Sequence, residues 1–578
     1  MYTVQTMRGD SIGEGSVVDS GKPTVSVAPM LIAAGVCALL TVPVAWLTRR
    51  YIGNDGLSYL EMAEATLQHG LGALVTNGSW SPGYPALLAV VLALIHPARI
   101  SELAVLRAVD WTICTATYLC FTYFLANLLK AIHSACGTVF VASRGYFGLL
   151  ALAYGFVFAS KLDISLWLAG PNVMLEGVTY LIAGVCIRLS LPNARWIHQA
   201  SLGALLALGY AIKAIMFPLS LVLLALYLVW PASNRQGRKR TLIAGGVFVV
   251  LSAPLVAGLS LSRGHLTFSE IGNINVAWYV NDLPRYWDCG PASFAGVTHA
   301  PKLLATNPAV LKFEGPSDLT YPYWYDPALW YEGVKGHYNP VEMLRQVIRF
   351  LGLVRNPRIY SAGIPRLSER WFPLYAGLAW FAILGLRPGG LWKAMQGQVR
   401  LLLWLAVGIL AFAAVHVEYR YLVPYVVPGF IVVFVAATAV TGLDRSRWVN
   451  WTVGCSLIVV FALFFARNLM HDRRIPPWAQ VAGKLTALGI GPGDELAAVG
   501  FADFSYDARL VGARFTIEIP NKAEPSTFAD LPAEDVNRTL AVLKANGVKA
   551  VFSAWRPAFN NDSGWVPIGQ RDYVRMIK

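Results

Sequence analysis

Long unbroken apolar runs, rather than amphipathic stripes, set the pattern of this chain. They fall at about 27–47, 103–130, 146–163, 167–188, 200–213, 214–231, 241–262, 372–386, 400–415, 421–441 and 449–467. A helix needs about 20 apolar residues to cross the hydrocarbon core of a bilayer. The pattern therefore predicts an α-helical polytopic membrane protein with about eleven transmembrane helices. Polar stretches divide it into a 1–26 tail, an N-terminal membrane module over 27–262 that contains the loop 48–102, a long loop 263–371, membrane helices over 372–468 and a C-terminal segment 469–578. The tail, polar with Gly and Ser, is predicted to be disordered. The first run follows it without a small-residue cleavage site, so it is expected to anchor the chain rather than to be removed as a signal peptide.

The C-terminal segment has a different rhythm. Helical periodicity runs over 475–488, Gly491-Pro492-Gly493-Asp494 is a turn, and 495–501 is an apolar strand. Residues 514–519 and 549–554 read as further strands, and 535–546 as a helix. Together they predict a small α/β domain of about 110 residues.

Composition agrees with a bilayer as solvent: 56% of residues are apolar and 14% charged, where a soluble domain carries roughly 25% charged. The net charge of +14 raises the question of a nucleic-acid partner, and its placement answers it. With a cytoplasmic N-terminus, the short inner connections carry Lys130, Arg144, Arg188, Arg195, Arg235, Arg238, Lys239, Arg240, Arg387, Lys393, Arg400, Arg445 and Arg447 against the single anion Asp444. The short outer connections hold only Lys161, Asp163, Lys213, Glu418 and Arg420. That is the positive-inside asymmetry of a multi-pass protein, and it predicts no nucleic-acid partner. Arg49 and Arg50 break the pattern and are read as snorkelling interface residues. An odd number of crossings places 48–102, 263–371 and the C-terminal segment on one extracytoplasmic face. The seven cysteines offer no zinc-ligand spacing and only Cys289 in an outer loop.

Candidate chemistry concentrates in the first outer loop. It reads Asp55-Gly56-Leu57-Ser58-Tyr59-Leu60-Glu61-Met62-Ala63, then Trp80-Ser81-Pro82-Gly83-Tyr84-Pro85. Asp55 precedes an amphipathic helix of about 57–68 expected to lie along the membrane surface. A second apolar helix, about 85–96, is too short to span. Gly209-Tyr210-Ala211-Ile212-Lys213 ends one run, and His416-Val417-Glu418-Tyr419-Arg420-Tyr421-Leu422-Val423-Pro424 enters another.

In order and topology these motifs resemble the GT-C superfamily of integral membrane glycosyltransferases, the group of the protein O-mannosyltransferases and the lipid A aminoarabinose transferases. The resemblance covers the layout of the first 470 residues or so and is anchored by three short motifs. It implies transfer of a sugar, with inversion, from a polyprenyl-phosphate donor to a glycan, lipid or protein acceptor on the outer side of the inner (plasma) membrane. Asp55 would act as general base on an acceptor hydroxyl, a role generally worth about 10²–10⁴-fold in rate. Lys213 and Arg420, with Glu418 beside the latter, would hold the donor's lipid phosphate as negative charge develops on it. The family usually carries a second acid near the helix pair around 160–176. Here Pro171-Asn172 has an amide instead, and Asp163 is the preferred candidate, with Glu176 nearby. No D-x-D pair occurs in an outer loop, so no metal or other cofactor is expected beyond the lipid-linked donor.

Each role has a plainer rival. Asp55 can cap its helix, Lys213 and Arg420 can snorkel to headgroups, Glu418 can simply pair with Arg420, and Asp163 with Lys161. The loop 263–371 is rich in Trp and Tyr, which suit membrane interfaces; Trp324 and Tyr325, with Tyr59, Trp80 and Tyr84 of the first loop, are the candidates for substrate or acceptor contact. The alternative function is a transporter or flippase of a lipid-linked glycan. Such a protein would show internal repeats and midplane charges, whereas here the candidate acids and bases sit at outer helix ends.

Overall fold

The computed structural model describes residues 25–137, 144–162, 169–191, 195–230, 235–285, 294, 296–315, 319–350, 388–441, 478–502, 504–520, 531–553, 564–569 and 572–577. Helices occupy the apolar runs within that range: α1 (Ala28–Leu47), α4 (Glu102–Cys136), α5 (Arg144–Leu162), α6 (Asn172–Ser190), α7 (Trp196–Ile212), α8 (Met216–Val229), α9 (Arg235–Arg263), α12 (Val399–Ala413) and α13 (Tyr419–Thr441). The runs at 372–386 and 449–467 lie outside the described residues. Among the described residues six helices are long and apolar enough to cross a membrane, and α5, α7 and α8 are shorter apolar helices. The 35-residue α4 is the central pillar, packed against α1 and α6, while α7 packs against α9 and α13 against α12. Leu31, Ile32, Leu39, Val249 and Val250 point out of the bundle, the arrangement expected where lipid, not water, surrounds the helices.

Two further helices sit at the end of the bundle after α1: α2 (Asn54–His69) and α3 (Gly83–Ile95), while α10 (Ile271–Tyr279) and α11 (Pro340–Phe350) lie in the long loop between α9 and α12. The surface position expected for α2 is not what the structure shows. Residues 56–63 are all buried, Ser58 and Glu61 included, because two other parts of the chain cover the helix. One is the aromatic segment around Tyr321–Tyr331; the other is the C-terminal unit. Glu61 accepts a hydrogen bond from the Thr320 amide (2.7 Å), which satisfies part of a carboxylate that would otherwise be costly to bury.

The C-terminal elements α14 (Trp478–Ala487), β3 (Glu495–Val499), α15 (Ser505–Val511), β4 (Arg514–Ile519), α16 (Ala533–Ala545), β5 (Val548–Ser553), β6 (Trp565–Pro567) and β7 (Tyr573–Met576) build a sheet with β1 (Lys302–Thr306) and β2 (Ala309–Lys312). The order is β1-β2-β4-β3-β5-β7-β6. β3 runs parallel to β4 and β5, and the outer pairs are antiparallel. The fully buried Leu496, Ala497, Ala498 and Val551 explain the near-continuous apolar reading of these strands. β1 and β2 come from the 263–371 loop, so that loop and the C-terminal segment share one sheet through the Leu311–Glu518 register.

Arg509 fastens this unit to the membrane-end helices. Its guanidinium donates to both Glu102 carboxylate oxygens (2.9 and 2.8 Å) and pairs with Glu64 at 2.8 Å. Tyr506 donates to the Arg99 carbonyl at 2.9 Å. The Arg509 and Glu102 side chains are 3% and 5% exposed, so the clamp is shielded from the solvent screening that makes surface ion pairs weak.

Candidate functional site

Asp55 is the second residue of α2. The cap position belongs to Gly53, and no side-chain cap bond is present. The Asp55 carboxylate is therefore free of the capping role that its sequence position allows. It reaches instead to two distant parts of the chain: Oδ2 lies 2.8 Å from Arg420 Nη1, and Oδ1 accepts the Trp324 indole N–H at 3.1 Å. A helix N-terminus is in addition a favourable place for negative charge.

Arg420 stands in the first turn of α13, 13% exposed. Besides Asp55 it holds Glu418 through Nε (2.5 Å), and Nη2 donates to the Tyr421 hydroxyl (3.1 Å). Glu418 also meets His416 Nε2 at 3.3 Å, and the His416 ring lies flat on Tyr279, with centroids 3.9 Å apart. Though burial opposes it, the Arg420 charge and the hydrogen bonds with His416 and Arg420 hold the Glu418 carboxyl down at about 2.

Lys213 follows α7 directly, in extended backbone beyond the end of the helix. Its ammonium sits 4.0 Å from the Tyr421 ring centroid and donates to the Asn172 amide oxygen at 3.2 Å. Arg420 approaches the same ring at 5.0 Å. Lys213 and Arg420 thus share one aromatic ring. Burial, with the neighbouring Arg420 charge, brings the Lys213 ammonium down to about 7.

The structure brings Asp55, Glu418, Arg420, Lys213 and Trp324 together at one end of the bundle. Trp80 is close by: its indole donates to the Trp324 carbonyl at 3.1 Å, and its ring meets Tyr59 edge-on at 5.4 Å. Tyr59 and Tyr84 pack inward. Tyr84 is fully buried, and its hydroxyl donates to Asp110 at 2.6 Å, which in turn pairs with Arg107 at 2.7 Å. Both rings build the floor of the first loop. Tyr325 is half-buried, and its carbonyl accepts from Asn77 at 2.8 Å. Asp163 lies outside the described residues. Lys161, its expected partner, is bound by Glu176 at 2.6 Å, with the Tyr180 hydroxyl on the other Glu176 oxygen.

Asn172, Tyr421, His416 and Tyr279 are members of the cluster that sequence reasoning did not assign. The alternation His416-x-Glu418-x-Arg420 carried a signal, since alternate residues of an extended segment entering a helix share a side. Asn172 stood out only as an amide where the resembling family usually carries an acid, and Tyr279 carried no signal.

Solved structures of similar architecture exist at low sequence identity. ArnT from Cupriavidus metallidurans in the apo state matches at 12% identity over 94% of this chain and 97% of its own, with a TM-score of 0.51. The same protein bound to undecaprenyl phosphate matches at 13% identity over 95% and 98%, TM-score 0.51. The archaeal oligosaccharyltransferase AglB from Archaeoglobus fulgidus, in complex with an inhibitory peptide and a dolichol-phosphate, matches at 10% identity over 91% and 69%, TM-score 0.50. The fold is GT-C. No protein-family model matches the chain, and no curated protein matches it in sequence. At these identities the likeness establishes the GT-C architecture, while the chemistry rests on the residues of this chain. On this GT-C frame the polar cluster sits where α2, α7 and α13 end together, with Asp55 flanked by cations.

Proposed function

We propose that this protein is a polyprenyl-phosphate-sugar-dependent glycosyltransferase (EC 2.4 class) of the inner membrane. It transfers a hexosyl or pentosyl unit, with inversion, to a glycan, lipid or protein acceptor at the extracytoplasmic face. The observation that carries this reading is the arrangement of Asp55 between Trp324 and Arg420, with Lys213 across the Tyr421 ring.

A sugar attached to a lipid phosphate has an anomeric carbon already joined to a good leaving group. What the protein must supply is a base for the acceptor hydroxyl and cations for the departing phosphate. Asp55 meets the first need. Trp324 and Arg420 hold its two oxygens apart in orientation, so one face of the carboxylate keeps a fixed direction. Arg420 and Lys213 meet the second. Lys213 has no direct carboxylate partner among the described residues: it donates to the neutral Asn172 amide, and Asp55 and Glu418 act on it only from a distance, so an entering phosphate gives it a direct ionic partner. As phosphate engages Arg420, the guanidinium is shared, and Asp55 becomes more available to take the acceptor proton. Attack from the side opposite the phosphate forms the new C–O bond as the C–O bond to phosphate breaks, the proton moves to Asp55, and the electron pair leaves on the lipid phosphate.

The test uses the purified full-length chain in nanodiscs with a labelled polyprenyl-phosphate sugar and cell-envelope acceptors. Labelled acceptor and free polyprenyl phosphate in equal amounts support transfer. Movement of label across a sealed proteoliposome with no transfer product supports a flippase and contradicts the proposal.

A further inference from the structure

Phe501 belongs to the C-terminal unit, and its ring touches the residue that holds Asp55. β3 ends at Val499, and Gly500, at φ +77°, turns the chain so that Phe501 leaves the carboxyl end of a central parallel strand. That edge of a parallel sheet is where side chains are presented to what lies beyond it. Here the Phe501 ring meets Trp324 edge-on, with centroids 5.1 Å apart at 89°, and Tyr321 at 5.8 Å and 71°.

The backbone of Trp324 is already pinned, because its carbonyl accepts from both Ser58 Oγ (2.7 Å) and Trp80 Nε1 (3.1 Å). What these backbone bonds do not set is the rotation of the indole, which rests on its ring neighbours Phe501, Trp80 (centroids 6.0 Å) and Tyr323 (5.9 Å). Its donation to Asp55 Oδ1 at 3.1 Å depends on that rotation, and Phe501 stands against the ring. A second, independent contact ties the same unit to the same turn: Ser505 Oγ donates to Asn54 Oδ1 at 2.9 Å, one residue before Asp55. Tyr321 donates its hydroxyl to the buried Glu518 on β4, which keeps the aromatic segment and the sheet in register.

We propose that Phe501 is a positioning residue that fixes the Trp324 indole, and through it the Asp55 carboxylate, so that the C-terminal unit sets the geometry of the proposed base. This rests on the glycosyltransferase reading for its catalytic consequence but not for its structural one. Phe501 itself touches no reacting atom. Loss of its ring leaves Lys213 and Arg420 in place, so turnover falls while donor binding is retained. Misorientation of a positioned group generally costs on the order of ten- to a hundredfold in rate.

The experiment compares Phe501→Ala, Phe501→Tyr, Trp324→Phe and the double variant Phe501→Ala/Trp324→Phe, all full length in nanodiscs. Two readouts are taken: the kcat and KM for a polyprenyl-phosphate sugar, and backbone hydrogen exchange by mass spectrometry. The expected result is a kcat about tenfold lower for Phe501→Ala with KM changed less than about twofold, and wild-type kinetics for Phe501→Tyr. Removing Phe501 should add nothing in the Trp324→Phe background. Exchange should rise in peptides covering 54–60 and 319–326 and stay at the wild-type level over 531–553. Wild-type exchange in the first two segments with unchanged kcat overturns the proposal. So does raised exchange throughout the C-terminal unit, which would mark Phe501 as docking glue. If the wild-type chain transfers no sugar, the function reading fails, and the exchange pattern alone decides whether Phe501 governs the Asp55 turn.

Discussion

The Asp55 carboxylate, from the first loop, and the Arg420 guanidinium, from the start of a late membrane helix, meet at 2.8 Å. Arg420 uses three different nitrogens at once, Nη1 for Asp55, Nε for Glu418 and Nη2 for the Tyr421 hydroxyl. A lysine ammonium is a point charge without that fork. Arg420→Lys is therefore predicted to keep the charge and lose the geometry, with kcat/KM down by about a hundredfold, about 2.7 kcal/mol of transition-state stabilisation. Steady-state kinetics on the folded variant check it.

Donor binding should depend on pH through Lys213. Its ammonium titrates at about 7 in the free protein, and a bound phosphate favours the charged form and raises that value. Affinity is then full below pH 7, where Lys213 is already protonated, and falls as pH rises above it, by up to tenfold per unit. The dissociation constant of polyprenyl-phosphate sugar should be roughly 30-fold weaker at pH 8.5 than at pH 6 if the bound value lies above 8.5. Lys213→Arg should flatten that dependence, and titration of binding at several pH values reads both.

Docking of the C-terminal unit should depend on Arg509. Its removal leaves Glu102 and Glu61 buried and Glu64 partly so, with three carboxylates gathered around the space it filled. Arg509→Met is predicted to destabilise docking by about 3–5 kcal/mol. Limited proteolysis should then release the C-terminal unit at lower denaturant concentration, while the membrane helices stay protected.

The turn that carries Asp55 also depends on a missing side chain. A Cβ at Gly56 would sit 2.9 Å from Ile52 Cγ1, 3.1 Å from Ala169 Cβ and 3.3 Å from the Ala169 carbonyl oxygen. Ile52 can rotate away, but Ala169, at φ +37°, is held in an uncommon backbone conformation. Gly56→Ala is predicted to cost about 1–3 kcal/mol of stability by overpacking. It should also lower kcat by shifting the start of α2, and thermal unfolding with kinetics on the same preparation measures both.

Much of this was legible in the sequence for a physical reason. Asp55, Lys213, Glu418 and Arg420 stand at the ends of apolar runs, where a charge has few tasks besides anchoring and chemistry, so position alone singled them out. The strand at 495–499 was legible from the apolar run after Glu495, and that at 514–519 from Phe515, Ile517 and Ile519 alternating with polar residues. β1 and β2 were not, because Lys302–Thr306 and Ala309–Lys312 are short and become strands only by pairing with each other and, through β2, with β4. The burial of α2 was hidden too. Its polar residues Ser58, Glu61 and Glu64 read as a solvated face, while their partners Trp324, Thr320 and Arg509 lie hundreds of positions away. Trp324 stood out as an aromatic, but nothing local to it indicated that its indole would hold Asp55.

The central claim is that Asp55 takes the acceptor proton, and single-turnover transfer by Asp55→Asn measures it most directly. The amide keeps the size and can still accept from Trp324, but it cannot serve as a base at neutral pH. With saturating polyprenyl-phosphate sugar and acceptor, the variant is predicted to bind donor and to transfer it at least about a hundredfold more slowly than wild type. Transfer by the folded variant at the wild-type rate would contradict the account.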